Sequence, residues 1–429
     1  MDSARIVVVG CGYVGLTTGA CLARLGHDVT CGDVDGEKIS RLRRGEVDLR
    51  EPGLGELLAE GVAAGRLRFT EDSAQPVTGA EFVFLCLPTP RGVEGEADLS
   101  AVDSVVGDIR ALLPPGAVVV AKSTVPVGTA RRLARSLARE DVAVVSNPEF
   151  LREGRAVEDF LHPDRIVVGA DDQRAAERVA GLYASVQARA ELVDSVSAEV
   201  VKYASNGYLA TKLSYVNDLA ELCEHTGADV EAVTEGMKRD HRVAPSFLSA
   251  GPGWGGSCLP KDTAALLHTA ASHGVEMPLL RAAIRANGHH QARVADKVVE
   301  CCGGDVSGAR VGLLGLTFKA HTGDLRDSPA LAVARLLAER GAQLRGYDPA
   351  CAERVAVEGV RCVADPRLAA ENADVLVLLT DWPEFAELDW EQVAAVIRTP
   401  VLVDARNQVD PREVARAGFA WRGTGRSLR

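Results

Sequence analysis

The β-branched run Ile6-Val7-Val8-Val9 empties straight into Gly10-Cys11-Gly12-Tyr13-Val14-Gly15, and an apolar helical stretch follows to Leu25. Few folds accept a strand that passes through a three-glycine turn into a helix. The glycines permit a tight turn and a close approach of backbone to ligand, and the free N–H groups of the helix that follows suit an anion. Residues 28–31 make a second strand ending near Asp33, at the chain distance where a carboxylate accepts hydrogen bonds from a ribose diol. A bare G-x-G-x-x-G also fits a plain turn, but the strand, helix and acid around it make a dinucleotide-binding fingerprint. Asp33 repels a 2′-phosphate, so NAD is expected rather than NADP. Residues 81–87 (EFVFLCL) and 117–121 (AVVVA) read as buried parallel strands opening into polar loops, one with Thr89 and one with Thr124. Loops at the carboxyl ends of such strands build the ligand crevice, which makes both threonines candidate cofactor contacts; each also suits a simple turn.

The pattern then starts again. Residues 310–316 (RVGLLGL) open a second pass, with a helix expected from about Ser328 to Arg340 and a strand ending at Tyr347 and Asp348. Residues 26–33 (GHDVTCGD) match 341–348 (GAQLRGYD) in spacing and in the closing acid, and 373–379 and 401–404 parallel the later strands of the first half. The second half has Gly312 and Gly315 but no G-x-G-x-x-G, so a ligand other than NAD is expected there. Between the halves, residues 198–223 are nearly free of helix breakers. The predicted fold class is α/β: two Rossmann-like, doubly wound sheets joined by a helical region with a long central helix. Expected domains are 1–195 for NAD, 196–300 for catalysis and dimerisation, and 301–429 for the second ligand.

Bulk properties narrow the partners. A chain of 429 residues exceeds what one core serves. Its net charge of −12, with no block of lysine and arginine, argues against wrapping nucleic acid and leaves room for local basic pockets. Met1 to Arg5 lead directly into a strand without a signal-peptide pattern, and no apolar run reaches membrane length, so a cytoplasmic protein with no membrane partner is expected. The 10 cysteines are expected to be reduced, and none has zinc-ligand spacing, so no metal site is expected.

One of those cysteines has special company. Cys258 lies in residues 251–262 (GPGWGGSCLPKD), where glycines let backbone approach closely and Pro260 suits the first turn of a helix. A thiol at a helix N-terminus gains about 0.3–1 kcal/mol for its thiolate form, so any further activation must come from a neighbour such as Lys261 or Asp262. A lone cysteine also fits a buried apolar role. On the long helix Lys202 and Asn206 are four residues apart and share a face, with Lys212 and Asn217 further along. A lysine and an amide together suit an oxygen that becomes negative; they also suit a solvated helix face.

Seven segments in order resemble the nucleotide-sugar 6-dehydrogenases, those acting on UDP-glucose above all: 10–16 (GCGYVGL), 122–129 (KSTVPVGT), 147–154 (NPEFLREG), 202–206 (KYASN), the Cys258 run, 317–329 (TFKAHTGDLRDSP) and 404–407 (DARN). The resemblance implies oxidation of a sugar's primary alcohol to a carboxylate with two NAD and one water. It implies catalytic roles for Cys258 as nucleophile, for Lys202, Asn206, Asp262 and a water near Thr124 as stabilisers of developing charge, and for Glu149 in hydrolysing a thioester. It assigns NAD to Gly10, Gly12, Tyr13, Val14, Gly15, Asp33, Lys38, Thr89, Thr124, Glu153, Lys261 and Arg326. It assigns a UDP-sugar to Glu149, Phe150, Leu151, Lys202, Asn206, Ser249, Gly253, Gly255, Phe318, Lys319 and Arg406, with the uridine diphosphate on the C-terminal sheet. Phe150, Leu151 and Phe318 fit a core role equally well.

The resemblance further implies a homodimer in which Arg242 reaches the neighbouring subunit's site. One stretch departs from the pattern: Val243-Ala244-Pro245 stands where relatives have Ile-Gly after the arginine, which narrows the backbone choices of that loop. Three other readings remain: a GDP-mannose or other nucleotide-sugar 6-dehydrogenase, a single-step hydroxyacid dehydrogenase, and a non-catalytic nucleotide-binding protein. Counting NADH per substrate sets the single-step reading apart, since two supports the thioester route and one rejects it; a panel of UDP- and GDP-sugars tests the nucleotide, and the non-catalytic reading predicts no turnover with any of them.

Overall fold

A computed structural model describes residues 3–93, 95–351 and 356–426. It divides into two compact units, Met1–Ser205 with Ala264–Val275 and Asn206–Thr263 with Glu276–Arg429.

The first unit is built on strands β1 (Arg5–Val9), β2 (Asp28–Gly32), β3 (Leu67–Thr70), β4 (Phe82–Leu85), β5 (Val118–Ala121), β6 (Ala143–Ser146), β7 (Arg165–Gly169) and β8 (Arg189–Val193). Their order is β3-β2-β1-β4-β5-β6-β7-β8, parallel as far as β6; β7 then runs antiparallel to β6, and β8 parallel to β7. Unbroken apolar strands such as FVFL and VVVA make sense because both faces of the sheet are covered. Ile6 and Val8 of β1 pack into one core with the helix Tyr13–Arg24, whereas Val7 and Val9 point to the other side and meet Val102 and Val106 of the helix Ser100–Ile109. Winding reverses between β1 and β4, and the glycine turn begins there. Gly10 has φ of +100°, and a Cβ on it would lie 2.4 Å from the Cys86 carbonyl oxygen, so no other residue fits without moving backbone.

The second unit carries β9 (Arg310–Leu314), β10 (Gln343–Tyr347), β11 (Val360–Cys362), β12 (Val375–Leu378), β13 (Val401–Asp404) and β14 (Ala420–Arg422). All neighbours are parallel, in the order β11-β10-β9-β12-β13-β14. That is the arrangement of the first six strands repeated, as the matched segments predict.

The long helix is Ser195–Thr226, 32 residues, passing from the first unit into the second after Ser205. The helices Val230–Lys238, Leu259–Ser272 and Pro278–Cys301 complete the region between the sheets in sequence. Along the long helix Val200, Tyr208, Tyr215 and Leu222 are exposed. The last three are seven residues apart and so form one apolar stripe. No helix among the described residues is long and apolar enough to cross a membrane.

Candidate active site

The first unit supplies an anion cradle and an ionised acid. Gly12 is the N-cap of the helix Tyr13–Arg24 and no side chain caps it. A Cβ on Gly12 would meet nothing within 4 Å, so the space before the helix N-terminus is open to a pyrophosphate. Asp33 accepts hydrogen bonds from Cys11 N at 2.8 Å, Asp35 N at 3.0 Å and Lys38 Nζ at 3.0 Å. Burial pushes its carboxyl up, but these donors outweigh it and hold the group below the usual carboxylate range. The turn, Asp33 and Lys38 therefore fit a dinucleotide with a free ribose diol. In the second sheet the corresponding acid is spent inside the protein. Asp348 accepts from Leu316 N, Thr317 N, Thr317 Oγ1 and the Trp382 indole at 2.7–3.2 Å. The acid of the second sheet thus braces a loop.

Loops after β4 and β5 are tied together, since Thr89 Oγ1 donates to the Thr124 carbonyl at 2.9 Å. The end of the second loop is held from the long helix: buried Glu199 accepts from Ala130 N at 2.7 Å and from Gly128 N. Burial pushes the Glu199 carboxyl up to about 7 despite these backbone donors. One turn further along that helix, Lys202 Nζ meets Glu149 Oε1 at 2.8 Å, and both side chains are buried. The second oxygen, Glu149 Oε2, accepts from Leu151 N at 2.7 Å. Burial raises the Glu149 carboxyl, yet Lys202, Leu151 N and Lys122 together bring it below its ordinary range. Phe150 lies between cations, with the Arg165 guanidinium 4.0 Å and Lys202 Nζ 5.5 Å from its ring centre, so its packing alone accounts for an aromatic there. Leu151 packs against the core of this unit, and Glu153 is half-buried in the loop that follows.

The second unit holds the thiol. Cys258 is half-buried, directly before the helix Leu259–Ser272, and its carbonyl accepts from Asp262 N at 2.8 Å. Ser257 Oγ is 3.6 Å from the sulfur. Asp262, 1% exposed, accepts from Asn206 Nδ2 at 2.6 Å and from Lys261 Nζ at 2.6 Å. An amide and an ammonium thus converge on one buried carboxylate a single turn beyond the thiol.

The run before Cys258 is pinned from two helices. Asn217 Oδ1 accepts from Gly251 N at 2.9 Å, Ser214 Oγ accepts from the Trp254 indole at 2.9 Å, and Asn287 bonds both the N–H and the carbonyl of Trp254, at 2.7 and 2.9 Å. Gly253 passes so close that a Cβ there would lie 2.6 Å from Asn287 Oδ1, and Gly255 so close to Asp327 that its Cβ would lie 1.9 Å from a carbonyl oxygen. The Phe318 ring covers Gly256, Lys319 Nζ lies 5.4 Å from that ring, and Arg406 donates to the Phe318 and Leu379 carbonyls while flanking Gly251. Phe318, Lys319, Gly253, Gly255 and Arg406 are therefore gathered about one loop. Ser249, in the same loop, is exposed.

Three further expected residues each pair with a nearby aspartate. Lys261 and Arg326, expected at the cofactor, belong to the second unit; Lys261 bonds Asp262, and Arg326 pairs with Asp324 at 2.7 Å. The Arg242 side chain is 79% exposed and pairs with Asp240 at 2.6 Å. Its loop carries a strained residue: Ala244 has φ of +61°, a left-handed conformation that glycine adopts freely. Lys212 holds that loop, donating to the carbonyls of Val243, Ala244 and Ser246 at 3.1, 3.2 and 2.7 Å.

Sequence reasoning gave no role to Glu199, Asn287 or the buried Lys122. Glu199 had a signal, its place one turn before Lys202. Asn287, alone in a helical segment, had none.

The chain matches, in order, the UDP-glucose/GDP-mannose dehydrogenase family's NAD binding domain over residues 4–187, its central domain over 196–289 and its UDP binding domain over 312–411. The UDP-glucose 6-dehydrogenase of Rhizobium meliloti is 45% identical, over 98% of this chain and 99% of its own. This chain belongs to the UDP-glucose/GDP-mannose dehydrogenase family. Another relative, the UDP-glucose 6-dehydrogenase of Pseudomonas aeruginosa, is 42% identical over 98% of this chain and 97% of its own. A UDP-glucose dehydrogenase structure from the archaeon Pyrobaculum islandicum superposes with a TM-score of 0.90 at 38% identity, covering 99% of this chain and 98% of that one. As a dehydrogenase of this family the protein is an NAD-type oxidoreductase, with the glycine turn inside the matched NAD binding domain and Phe318, Lys319 and Arg406 inside the matched UDP binding domain.

Proposed function

We propose that this protein oxidises UDP-glucose to UDP-glucuronate in two steps, with Cys258 as the covalent catalyst. The observation that carries the reading is the half-buried Cys258 thiol at the start of a helix, one turn from a buried carboxylate that an amide and a lysine both hold. Support for the substrate comes from the match to a UDP binding domain and from the relatives named for UDP-glucose.

NAD, held by residues 10–15, Asp33, Lys38, Thr89 and Thr124 with Glu153, Lys261 and Arg326 contributing, supplies a hydride acceptor for each oxidation. In the first, a base takes the proton of the sugar hydroxyl as its carbon gives up hydride, while Lys202 and Asn206, with Asp262 and a water near Thr124, hold the charge that develops. The aldehyde carbon must carry an oxyanion adduct before it can release a second hydride. Cys258 Sγ adds to that carbon and forms the adduct without releasing the aldehyde. After the second oxidation the sulfur is part of a thioester. Glu149 takes a proton from water, the water oxygen bonds to the acyl carbon, and the thiolate leaves with the electrons of the C–S bond.

The sugar nucleotide is assigned to Glu149, Phe150, Leu151, Ser249, Gly253, Gly255, Phe318, Lys319 and Arg406, where lysine and arginine suit a diphosphate. The work divides among residues 1–195, 196–300 and 301–429. A homodimer covers the exposed stripe of Tyr208, Tyr215 and Leu222, and Arg242, projecting from its clamped loop, serves the partner's substrate. The test is a panel of UDP- and GDP-sugars assayed for NADH yield. Two NADH per UDP-glucose and none from GDP-mannose are expected; a yield of one, or a preference for GDP-mannose, contradicts the reading.

A further inference from the structure

Asn147, two residues before Glu149, holds a buried charge that the proposed chemistry does not use. Lys122 opens the loop that carries Thr124, and it is buried. Its ammonium donates to Asn147 Oδ1 at 3.0 Å and reaches Tyr183 OH at 3.4 Å, with the rings of Tyr183 and Phe160 5.6 and 5.8 Å away. Among the described residues no carboxylate forms an ion pair with it. A buried lysine without a counter-ion costs stability, and methionine of similar volume would fill the same space. Packing alone therefore does not account for a charge at this position.

The groups that face it limit what that reason is. Cys86 is pushed up to about 12 by burial and Tyr183 is pushed up further still by the same cause, so both are neutral. Arg165 stands on the ring of Phe150. The charged set is therefore Lys122, Glu149 and Lys202, two cations and one carboxylate. Burial pushes Lys122 down to about 8, with Lys202 adding to that effect and Glu149 opposing it.

We propose that Lys122 is a positioning residue for the hydrolytic half of the reaction: its buried ammonium keeps Glu149 a carboxylate when Lys202 turns to the substrate. The inference rests on the reading of Glu149 as the base for thioester hydrolysis. A Lys202 ammonium shared with a developing charge on the sugar offsets the Glu149 charge less, and a buried carboxylate left with too little compensation would take up a proton and cease to be a base.

The sign follows directly. Removing the Lys122 charge raises the Glu149 carboxyl, so a smaller share is ionised at each pH and the acid limb of the kcat profile moves to higher pH. The experiment is the kcat–pH profile of the full chain with UDP-glucose and NAD, for the unaltered protein and for Lys122→Met, together with urea unfolding midpoints. The acid limb is expected to move up by roughly half a pH unit or more. The unfolding midpoint at neutral pH is expected to stay level or rise, because a buried charge has gone. Asn147→Asp, which gives Lys122 a counter-ion at its present 3.0 Å contact, is expected to move the limb the same way. An unmoved limb in whichever variant folds overturns the inference, as does a limb that moves down. If the unaltered protein yields fewer than two NADH per sugar, the reading of Glu149 fails first; if it yields two and the limb is unmoved, only the role of Lys122 fails.

Discussion

Replacing Asn287 by leucine removes both hydrogen bonds to the Trp254 backbone, at 2.7 and 2.9 Å, while keeping the same branching of the side chain. The backbone N–H and carbonyl of Trp254 lie in a buried segment, and leaving each unsatisfied costs about 1–3 kcal/mol. The segment has two responses. Held in place by Asn217 and Ser214, it loses roughly 2–6 kcal/mol of stability. Shifted so that water reaches it, it carries Cys258, four residues on, out of position. A share of about 2 kcal/mol taken from the transition state corresponds to roughly thirtyfold in rate. The assay is kcat for UDP-glucose oxidation beside NAD binding followed by fluorescence. A fall in kcat of about thirtyfold is expected, with NAD affinity unchanged within roughly twofold because the glycine turn belongs to the other compact unit. A variant that loses thermal stability and keeps full kcat would show that Asn287 only supports the fold, and the link between this pin and the thiol would be wrong.

Relaxing the Arg242 loop should be measurable too. Ala244→Gly removes a left-handed alanine strain of about 1–2 kcal/mol and adds about 0.5–1 kcal/mol of unfolded-chain entropy. A small rise in the denaturant midpoint is expected, and a clear fall would mean that the loop is not strained at φ +61°. Arg406→Ala removes the guanidinium that braces Phe318 and Leu379. It should raise KM for UDP-glucose roughly tenfold, the worth of a charge-assisted contact, with KM for NAD little changed; equal effects on both would misplace the sugar-nucleotide site.

Much of this was legible in the chain because the signals are local. The glycine turn, the apolar strands and the closing acids at 33 and 348 each state their structure within a few residues, and the strands appear where the pattern puts them. The two acids also show the limit of such reading. Spacing makes them equivalent, yet Asp33 keeps a surface-facing pairing with Lys38 whereas Asp348 is consumed by Leu316, Thr317 and Trp382. The difference comes from an indole 34 residues away. Similarly, Phe150 reads as core or substrate contact from sequence, and only three-dimensional packing puts Arg165 against its face. The departure at Ala244 was visible as a missing glycine; the three carbonyls that Lys212 collects to hold that loop were not, since a lysine 32 residues distant gives no periodic signal. Buried polar groups such as Lys122 and Asn287 are defined by what surrounds them, which no window of sequence contains.

The most direct measurement concerns the sulfur itself. The Glu149→Gln variant, slowed in hydrolysis, is mixed with UDP-glucose and excess NAD, quenched in acid and digested, and the peptides are weighed. A UDP-glucuronosyl adduct on the peptide containing Cys258 is the expected result, absent when Cys258→Ser is introduced as well. Carboxylate production by Cys258→Ser at the rate of the unaltered protein, or an adduct mapped to another residue, would contradict covalent catalysis at Cys258.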